Sequence, residues 1–369
     1  MRRRSWGWRL AAVVATAAMA FGLAACGDDD DDAGATGETS GGAGAEVSLN
    51  LGYVTTAEHP YGIALDQFVA NVREASGGAI AIETIPTYAG GSDVQLLQDV
   101  RDGAVPMASV SSAVWAGQGV TSFDALQALG LMTRYDLERE VLEGPIAEEM
   151  LAATEEVGLK GLAIHEGGLR VPLGAKQALT GPAAFEGKAI RTPEAPVLET
   201  GMRALGADPT PLPLGDVYAG LREGTVDGME ANLGLIQTQK FYEVAQFITP
   251  NLPLWPFPTV LAMNQSAFDG LSAEHQQIIT EEAAKLPGIS LDIFSTPSEL
   301  PQTLCDEGIK FALADEQELA AFGRASDAAV AELSKDEATK GFIEQIQQIK
   351  DGLGEPTAPP PLPEGCTVQ

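Results

Sequence analysis

The stretch that decides the fold begins with GKAIR at residues 187–191 and ends with GTVDGME at residues 224–230. A helix-like segment lies between them and runs to Gly206. Strand-like and helix-like runs separated by glycine turns predict an α/β fold. The stretch also places Arg191 at the end of a short strand-like run, and an arginine can hold a carboxylate by two parallel hydrogen bonds. Arg191 is therefore the first candidate for a ligand-binding residue.

A faint internal repeat extends this pattern. VRDGAVPM at residues 100–107 is echoed by LREGTVDG at residues 221–228, and both read as helix end, glycine turn and strand start. The repeat predicts two similar α/β lobes that share a cleft, which is where open α/β sheets bind ligands. The alternative is that the two segments are unrelated, because a helix followed by a glycine turn and a strand is common in any α/β protein.

Other segments follow the same periodicities. Apolar residues at helical spacing predict helices, and short apolar runs bounded by glycines predict strands. The segments predicted in this way are strands at 47–54, 79–85 and 107–110 and helices at 60–75, 93–102, 315–333 and 338–350.

The composition is that of a globular protein with room for two domains. Of the 369 residues, 45% are hydrophobic and 20% are charged. The formal net charge of −30 repels phosphate backbones and argues against a nucleic-acid partner. The segment from Lys160 to Arg191 departs from this balance, because it holds five basic and two acidic residues. Arg170 lies in it too, although an arginine taken alone is most simply a solvated ion pair.

The N-terminus reads as an export signal. Three arginines precede a short apolar run, which is too short to span a bilayer. LAACG at residues 23–27 resembles a bacterial lipoprotein cleavage box, so residues 1–25 are predicted to be removed and Cys26 to carry lipid. An ordinary secretory signal is the alternative. Residues 26–45 are predicted to be a flexible tether, and the protein to be extracytoplasmic and lipid-anchored, in the periplasm or on the outer face of the cell membrane.

The two remaining cysteines are predicted to bridge. Cys305 and Cys366 form an even pair outside the cytoplasm, where such pairs usually oxidise. Their disulfide would pin the proline-rich tail at residues 355–363 to the body of the protein. The alternative is two free thiols.

Signatures of enzymes, metals and cofactors are missing from the sequence. The three histidines are not at metal-ligand spacing, and the cysteines form no CxxC pair. There is no G-x-S-x-G elbow, no P-loop and no G-x-G-x-x-G after a strand. We therefore expect a protein that is not an enzyme and binds no metal or cofactor.

Several motifs together resemble one family over residues 46 to about 285. They are HP at 59–60 with SGGAI at 76–80, GGLR at 167–170 with PAAFEGKAIR at 182–191, LGADP at 205–209, VYAGL at 217–221, VDGME at 226–230 and QKFYEV at 239–244. This set resembles the extracytoplasmic substrate-binding subunits of TRAP transporters, the DctP-type family.

The resemblance implies a two-lobe periplasmic-binding-protein-like clamp with crossing connections between the lobes and a helical C-terminal region. We expect the first lobe at 46–168 plus about 258–300, and the second lobe with bracing C-terminal helices at 169–257 plus about 301–369. The family closes around a small organic acid and hands it to a membrane permease. By resemblance, Arg191 makes a bidentate salt bridge to the carboxylate and Arg170 adds a second contact.

The other candidate ligand contacts are less directly tied to the family pattern. Glu230 ends the VDGME motif, and Asn232 follows one residue after the place where many members have asparagine, here Ala231. His59 opens a loop-to-helix turn and is predicted to face the cleft. Four aromatic residues suggest an apolar wall of the cleft: Trp115 and Trp255 and, as weaker candidates, Tyr88 and Phe257. The alternative for each of them is a place in the hydrophobic core. A ligand sensor or an enzyme on the same scaffold are the alternative functions.

Overall fold

The computed structural model describes residues 44–355 and 361–368, which form an α/β unit. The strands are β1 (Val47–Gly52), β2 (Ile80–Ile85), β3 (Met107–Ser111), β4 (Leu159–His165), β5 (Val171–Gly174), β6 (Ala189–Thr192), β7 (Asp208–Pro211), β8 (Gly228–Ala231), β9 (Phe247–Ile248), β10 (Thr259–Asn264), β11 (Lys310–Ala312) and β12 (Thr367–Val368).

Helices cover much of the remaining described chain. The α-helices are α1 (Pro60–Ala75), α2 (Asp93–Arg101), α3 (Tyr135–Leu142), α4 (Pro145–Ala152), α5 (Pro182–Phe185), α6 (Pro196–Ala204), α7 (Val217–Glu223), α8 (Leu233–Thr238), α9 (Gln265–Asp269), α10 (Ala273–Ala283), α11 (Leu286–Ser295), α12 (Leu300–Asp306), α13 (Glu316–Leu333) and α14 (Glu337–Gly352). Short 3-10 helices lie at Tyr88–Gly91, Ser112–Gln118, Ser122–Gln127, Ala153–Val157, Leu214–Asp216 and Phe241–Glu243.

The strands form two sheets. The first has the order β2-β1-β3-β10-β4, and β10 is antiparallel to both of its neighbours. The second has the order β12-β11-β9-β5-β8-β6-β7, in which β6 is parallel to β7 and β8. The chain therefore leaves the first sheet after β4, builds most of the second sheet, and returns to insert β10 between β3 and β4. All strands of the first sheet fall within the predicted first lobe, although the exact lobe boundaries stay a prediction.

Of the three segments of the described chain that pass from one sheet to the other, two are hydrogen-bonded to each other, and we call these two the crossing segments. The first runs from β4 to β5 through Arg170, and the second runs from β9 to β10 through Trp255. The Arg170 N–H donates to the Trp255 carbonyl at 2.8 Å, and the Leu254 N–H donates to the Arg170 carbonyl at 2.8 Å. This pairing fixes the backbone of Arg170 between the two sheets.

Local sequence signals account for the helices near the crossings. The helix α1 begins after His59, whose ring nitrogen accepts the Tyr61 N–H, and Pro60 supplies the fixed φ of a first helical residue. Its buried face includes Leu65, Phe68 and Val72 at helical spacing, as predicted. The strand β1 ends at Gly52, two residues earlier than predicted, because its partner β2 ends opposite it.

The C-terminal helices pack across the body of the protein. The helix α13 packs against α6, which follows a strand of the second sheet, while α14 packs against α3 and the 3-10 helix Ser122–Gln127. The Lys350 ammonium group donates to the Leu131 carbonyl at 2.8 Å. The largest hydrophobic core, which combines residues of both sheets with α13 and α14, includes Val110, Ile190 and Ile346. None of the helices in the described residues has the length and apolar character needed to cross a membrane.

A disulfide joins Cys305 in α12 to Cys366, with the two Cα atoms 5.8 Å apart. The bond closes a loop with a sequence separation of 61 residues. It holds the C-terminal strand β12 beside β11 at the edge of the second sheet.

We predict that reduction of this disulfide lowers the free energy of unfolding by about 2–4 kcal/mol, because an open loop of this length has more conformational entropy when unfolded. Urea unfolding with and without dithiothreitol measures the effect. The Cys305→Ser/Cys366→Ser variant is the control and should not respond to the reductant. Equal stability of the wild type in both conditions would contradict a stabilising bond.

Candidate functional site

A cavity lies between the two sheets, beside the crossing segments, and we call it the arginine cavity. It contains about 340 Å³ of space free of protein atoms, including a part open to solvent. Its lining residues come from both lobes, and they are Val54, Thr55, His59, Asp93, Gly167, Arg170, Arg191, Pro193, Leu214, Leu235 and Phe257. The sequence-predicted residues Arg170, Arg191 and His59 are thus brought together in one place.

Arg170 is held by a buried ion pair. Its Nε donates to the Oε2 of Glu230, and its Nη2 donates to the Glu230 carbonyl at 2.9 Å. The guanidinium carbon lies 4.6 Å from the centre of the Phe257 ring, within the range of a cation–π contact. The Glu230 side chain is 0% exposed. A buried carboxylate requires such a partner, so Glu230 positions Arg170 and does not itself line the cavity.

Arg191, at the carboxyl end of β6, is held differently. Its Nε and Nη2 both donate to the Leu212 carbonyl, at 3.0 and 2.8 Å. Its Nη1 makes no hydrogen bond within the described residues, and the closest carboxylate oxygen, Oε1 of Glu230, is 3.9 Å away. Arg191 is only 3% exposed. Burial lowers the pKa of Arg191 to about 10, and the charge of Glu230 partly offsets this effect, so the guanidinium remains charged at neutral pH.

Asp93 is a cavity residue whose role the sequence did not indicate beyond its place at the start of a helix. It is the first residue of α2, and its Oδ1 accepts the Ser111 N–H at 2.9 Å. Burial raises the pKa of Asp93 to about 6, against the hydrogen bond from Ser111 and the charge of Arg191. A glycine-serine pair before an acidic helix start is a common N-cap pattern, which gave no reason to single out this carboxylate.

His59 and Asn232 form a structural link instead of a free polar pair. The Nδ1 of His59 accepts the Tyr61 N–H, so the ring proton lies on Nε2, which donates to Asn232 Oδ1 at 3.2 Å. Asn232 caps α8 by accepting the Leu235 N–H at 2.8 Å and donates to the Gly167 carbonyl at 2.7 Å. Burial lowers the pKa of His59 to about 3, which keeps the ring neutral.

Most of the aromatic candidates do not line the arginine cavity. Trp115 and Trp255 are fully buried and are not among the residues that line the cavity. Trp115 packs against Phe123, and the Trp255 ring approaches Gly201 of α6. Of the four aromatic residues that the sequence singled out, Phe257 is the one that lines the cavity. Aromatic residues near strand ends are common in cores, and their spacing alone does not indicate which face they occupy.

Glu166, on the first crossing segment, is a further buried carboxyl group. Its Oε1 accepts the N–H groups of Gly168 and Phe257, and so joins the two crossings. The neighbouring Glu138 from α3 is also fully buried, and burial together with the charge of Glu166 raises the pKa of Glu138 well above its usual range. A neutral Glu138 therefore relieves the repulsion between the two groups.

Gly168 has a φ of 105°, a backbone conformation that favours glycine. A Cβ atom there would lie 2.7 Å from the Asn232 side chain. The crossing thus approaches the α8 cap more closely than any other residue type would allow.

Comparison with known proteins identifies the family of the chain. Residues 51–336, which make up more than half of it, match the family described as bacterial extracellular solute-binding protein, family 7, or DctP. The chain belongs to this family. It is therefore an extracytoplasmic solute receptor and not an enzyme. Within the described residues, no group of three or more histidine, cysteine or acidic side chains could hold a metal ion.

Two relatives of this chain are named for the ligands that they bind. The 2,3-diketo-L-gulonate-binding periplasmic protein YiaO of Escherichia coli is 29% identical over 239 residues, covering 65% of this chain and 72% of that protein. The C4-dicarboxylate-binding periplasmic protein DctP of Rhodobacter capsulatus is 28% identical over 228 residues, covering 62% and 68%.

Among solved structures, the sugar acid binding protein DctPAm of Advenella mimigardefordensis in complex with galactonate has a TM-score of 0.76 and 25% identity, covering 82% of this chain and 98% of that one. The two sheets and their crossings are therefore the two-lobe fold of periplasmic binding proteins.

We predict that the two arginines contribute unequally to stability without ligand. The variant Arg170→Met leaves Glu230 buried and without its closest partner, which costs about 3–5 kcal/mol. The variant Arg191→Met leaves the Leu212 carbonyl without its donor and removes only a longer, 3.9 Å contact to Glu230, which costs about 1–3 kcal/mol. Urea unfolding of the ligand-free variants measures both. A loss for Arg191→Met as large as that for Arg170→Met would contradict the different roles of the two residues.

Proposed function

We propose that this protein is the solute receptor of a TRAP-type transporter, which binds a small organic acid in the arginine cavity through a salt bridge between Arg191 and the ligand carboxylate. The observation that carries the proposal is the buried Arg191 guanidinium, whose Nη1 has no hydrogen-bond acceptor within the described residues. A buried cation whose nearest carboxylate oxygen is 3.9 Å away is only partly compensated, and a ligand anion at Nη1 would stabilise it further.

The neighbouring groups support a carboxylate as that anion. The Leu212 carbonyl fixes the Arg191 fork from one side, which leaves its Nη1 edge for a ligand. Arg170 lines the same cavity, and its Nη1 makes no hydrogen bond with the described residues, so a second contact is available. A planar carboxylate matches the donor geometry of a guanidinium better than a single-atom acceptor does.

The rest of the wall suits a small organic molecule. Leu214, Leu235 and Phe257 supply apolar surface beside the charged groups. Such a mixture of apolar lining and few polar groups is typical of small-ligand sites. The similar proteins bind 2,3-diketo-L-gulonate, C4-dicarboxylates and galactonate. All of these ligands are carboxylates, which supports an organic acid as the solute class.

Entry of the solute requires the lobes to separate. Both arginines are almost completely buried, so a solute reaches them only when the cavity opens. We infer that the two crossing segments act as the hinge and that the closed, loaded form is the one recognised by the membrane permease. The ligand supplies the energy of closure through its higher affinity for the closed state.

We predict that Arg191→Ala lowers the affinity for the bound acid by at least about a hundredfold, or 2.7 kcal/mol, because it removes one partner of a desolvated ion pair. The acid is first found by screening sugar acids and dicarboxylates for thermal stabilisation, and calorimetry then gives the affinities. Arg222→Ala is the matched control, since that side chain is 60% exposed on α7, and it should bind as the wild type does. Affinity of Arg191→Ala within threefold of the wild type would refute the salt bridge.

We further propose that Cys26 anchors the protein by lipid; this residue lies outside the described residues. The variant Cys26→Ser should move the protein from the membrane fraction to the soluble fraction, because two acyl chains are sufficient for stable anchoring. Cell fractionation with mass spectrometry of the N-terminal peptide provides the measurement. Cys305→Ser should stay with the membrane, and a mature wild type without a diacylglyceryl group would rule the anchor out.

A further inference from the structure

Asp93 is the acidic group among the residues that line the arginine cavity, and half of its carboxylate is unused. Its Oδ1 accepts the Ser111 N–H, but its Oδ2 accepts no hydrogen bond from the described residues. The residue is 9% exposed and lines the arginine cavity. Asp93 is thus a nearly buried carboxylate with one oxygen free to accept a hydrogen bond from a ligand.

Asp93 also lines a second space, which we call the side chamber. It contains about 240 Å³ free of protein atoms, including a part open to solvent, and adjoins the arginine cavity. The two spaces share Asp93, Arg191 and Pro193. A ligand anchored at Arg191 therefore has room to extend past Asp93 into the side chamber.

The charges around these spaces are unevenly distributed. The cations that line them are Arg170 and Arg191, and the carboxylates are Asp93 and, at the exposed mouth of the side chamber, Glu194. Arg170 is already paired with Glu230. Neither arginine forms a salt bridge with Asp93. Beyond Arg191, the side chamber offers ionisable groups of negative charge only.

A charge balance follows from these groups. Two arginines contribute +2, and Glu230 and ionised Asp93 contribute −2, so the site is neutral before binding. One ligand carboxylate brings the sum to −1, but this carboxylate lies at contact distance from the Nη1 edge of Arg191, which attracts it. A second ligand carboxylate brings it to −2 and lies beside Asp93, where like charges repel in a poorly solvated site. A ligand hydroxyl group instead donates to the free oxygen of Asp93.

Resting on the function proposed above, we propose that Asp93 determines specificity: it accepts a hydrogen bond from a hydroxyl group at the far end of the ligand, and the receptor binds hydroxylated monocarboxylates in preference to dicarboxylates. The carboxylate end is fixed by Arg191, and the hydroxylated end lies beside Asp93 and enters the side chamber. A hydroxyl missing from the ligand leaves the buried acceptor without a donor, and this is a strong source of discrimination.

The test uses pairs of acids that differ only at the far end. Each hydroxy acid is compared with the dicarboxylate of the same carbon skeleton: galactonate with galactarate, and erythronate with meso-tartrate. Hexanoate, which has no hydroxyl group, is the third probe. In calorimetry with the purified protein, at least one hydroxy acid should bind at least about tenfold more tightly than both its dicarboxylate and hexanoate, or 1.4 kcal/mol.

The variant Asp93→Asn should reduce this preference by about tenfold or more. Asparagine keeps the acceptor for the Ser111 N–H but replaces the free oxygen by an amide that donates, which favours a second carboxylate. The control is Asp102→Asn, an exposed acidic residue just after the last turn of α2, which should keep the wild-type preference. If Asp93→Asn does not fold, as judged by circular dichroism, the wild-type preference within each pair remains a test by itself.

The outcomes separate this inference from the proposed function. If a dicarboxylate binds more tightly than its hydroxy acid and the binding is lost in Arg191→Ala, the receptor function stands and the role of Asp93 is overturned. An unchanged preference in folded Asp93→Asn overturns that role as well. If no hydroxy acid binds, the substrate class is wrong, and if an acid binds without any need for Arg191, the proposed anchor itself fails.

Discussion

The buried ion pair between Arg170 and Glu230 is the interaction on which the site depends. Glu230 comes from β8 of the second sheet, and Arg170 comes from the crossing between the sheets. Two buried charges of this kind are tolerated only as a well-bonded pair, and the Glu230 carbonyl adds a further bond to the same guanidinium. Because Glu230 is hydrogen-bonded to Arg170, its nearest oxygen to Arg191 Nη1 is 3.9 Å away, too far for a hydrogen bond. We therefore propose that Arg170 mainly stabilises the fold and that Arg191 is the main anchor of the ligand.

The crossing that carries Arg170 is tied to its neighbours by several side-chain hydrogen bonds. Glu166 accepts N–H groups from both crossings, and Asn232 ties the first one to α8 and, through His59, to α1. Such bonds restrict the geometry of the segments that we propose as the hinge. They also show that Asn232 and His59, which the sequence suggested as ligand contacts, hydrogen-bond to other parts of the protein.

The sequence predicted the fold class and the helix α1, because periodicity and glycine turns are local signals. The family motifs predicted that Arg170 and Arg191 lie in the same cleft. It did not predict that Asn232 is a helix cap or that Trp255 lies in the core, since both depend on which face a residue presents after the lobes assemble. Asp93 was missed for the same reason. Its carboxylate lines the same cavity as Arg191, which is far away in the sequence. The sequence around Asp93 therefore does not indicate a ligand-binding role.

The central claim is that the ligand carboxylate binds to the Nη1 edge of Arg191 while the pair between Arg170 and Glu230 stays intact. A crystal structure of the protein with its bound acid tests it most directly. The account predicts a carboxylate oxygen at about 2.7–2.9 Å from Arg191 Nη1, the usual distance for a charge-assisted bond. A ligand whose carboxylate lies away from Arg191, or replaces Glu230 as the partner of Arg170, would contradict it.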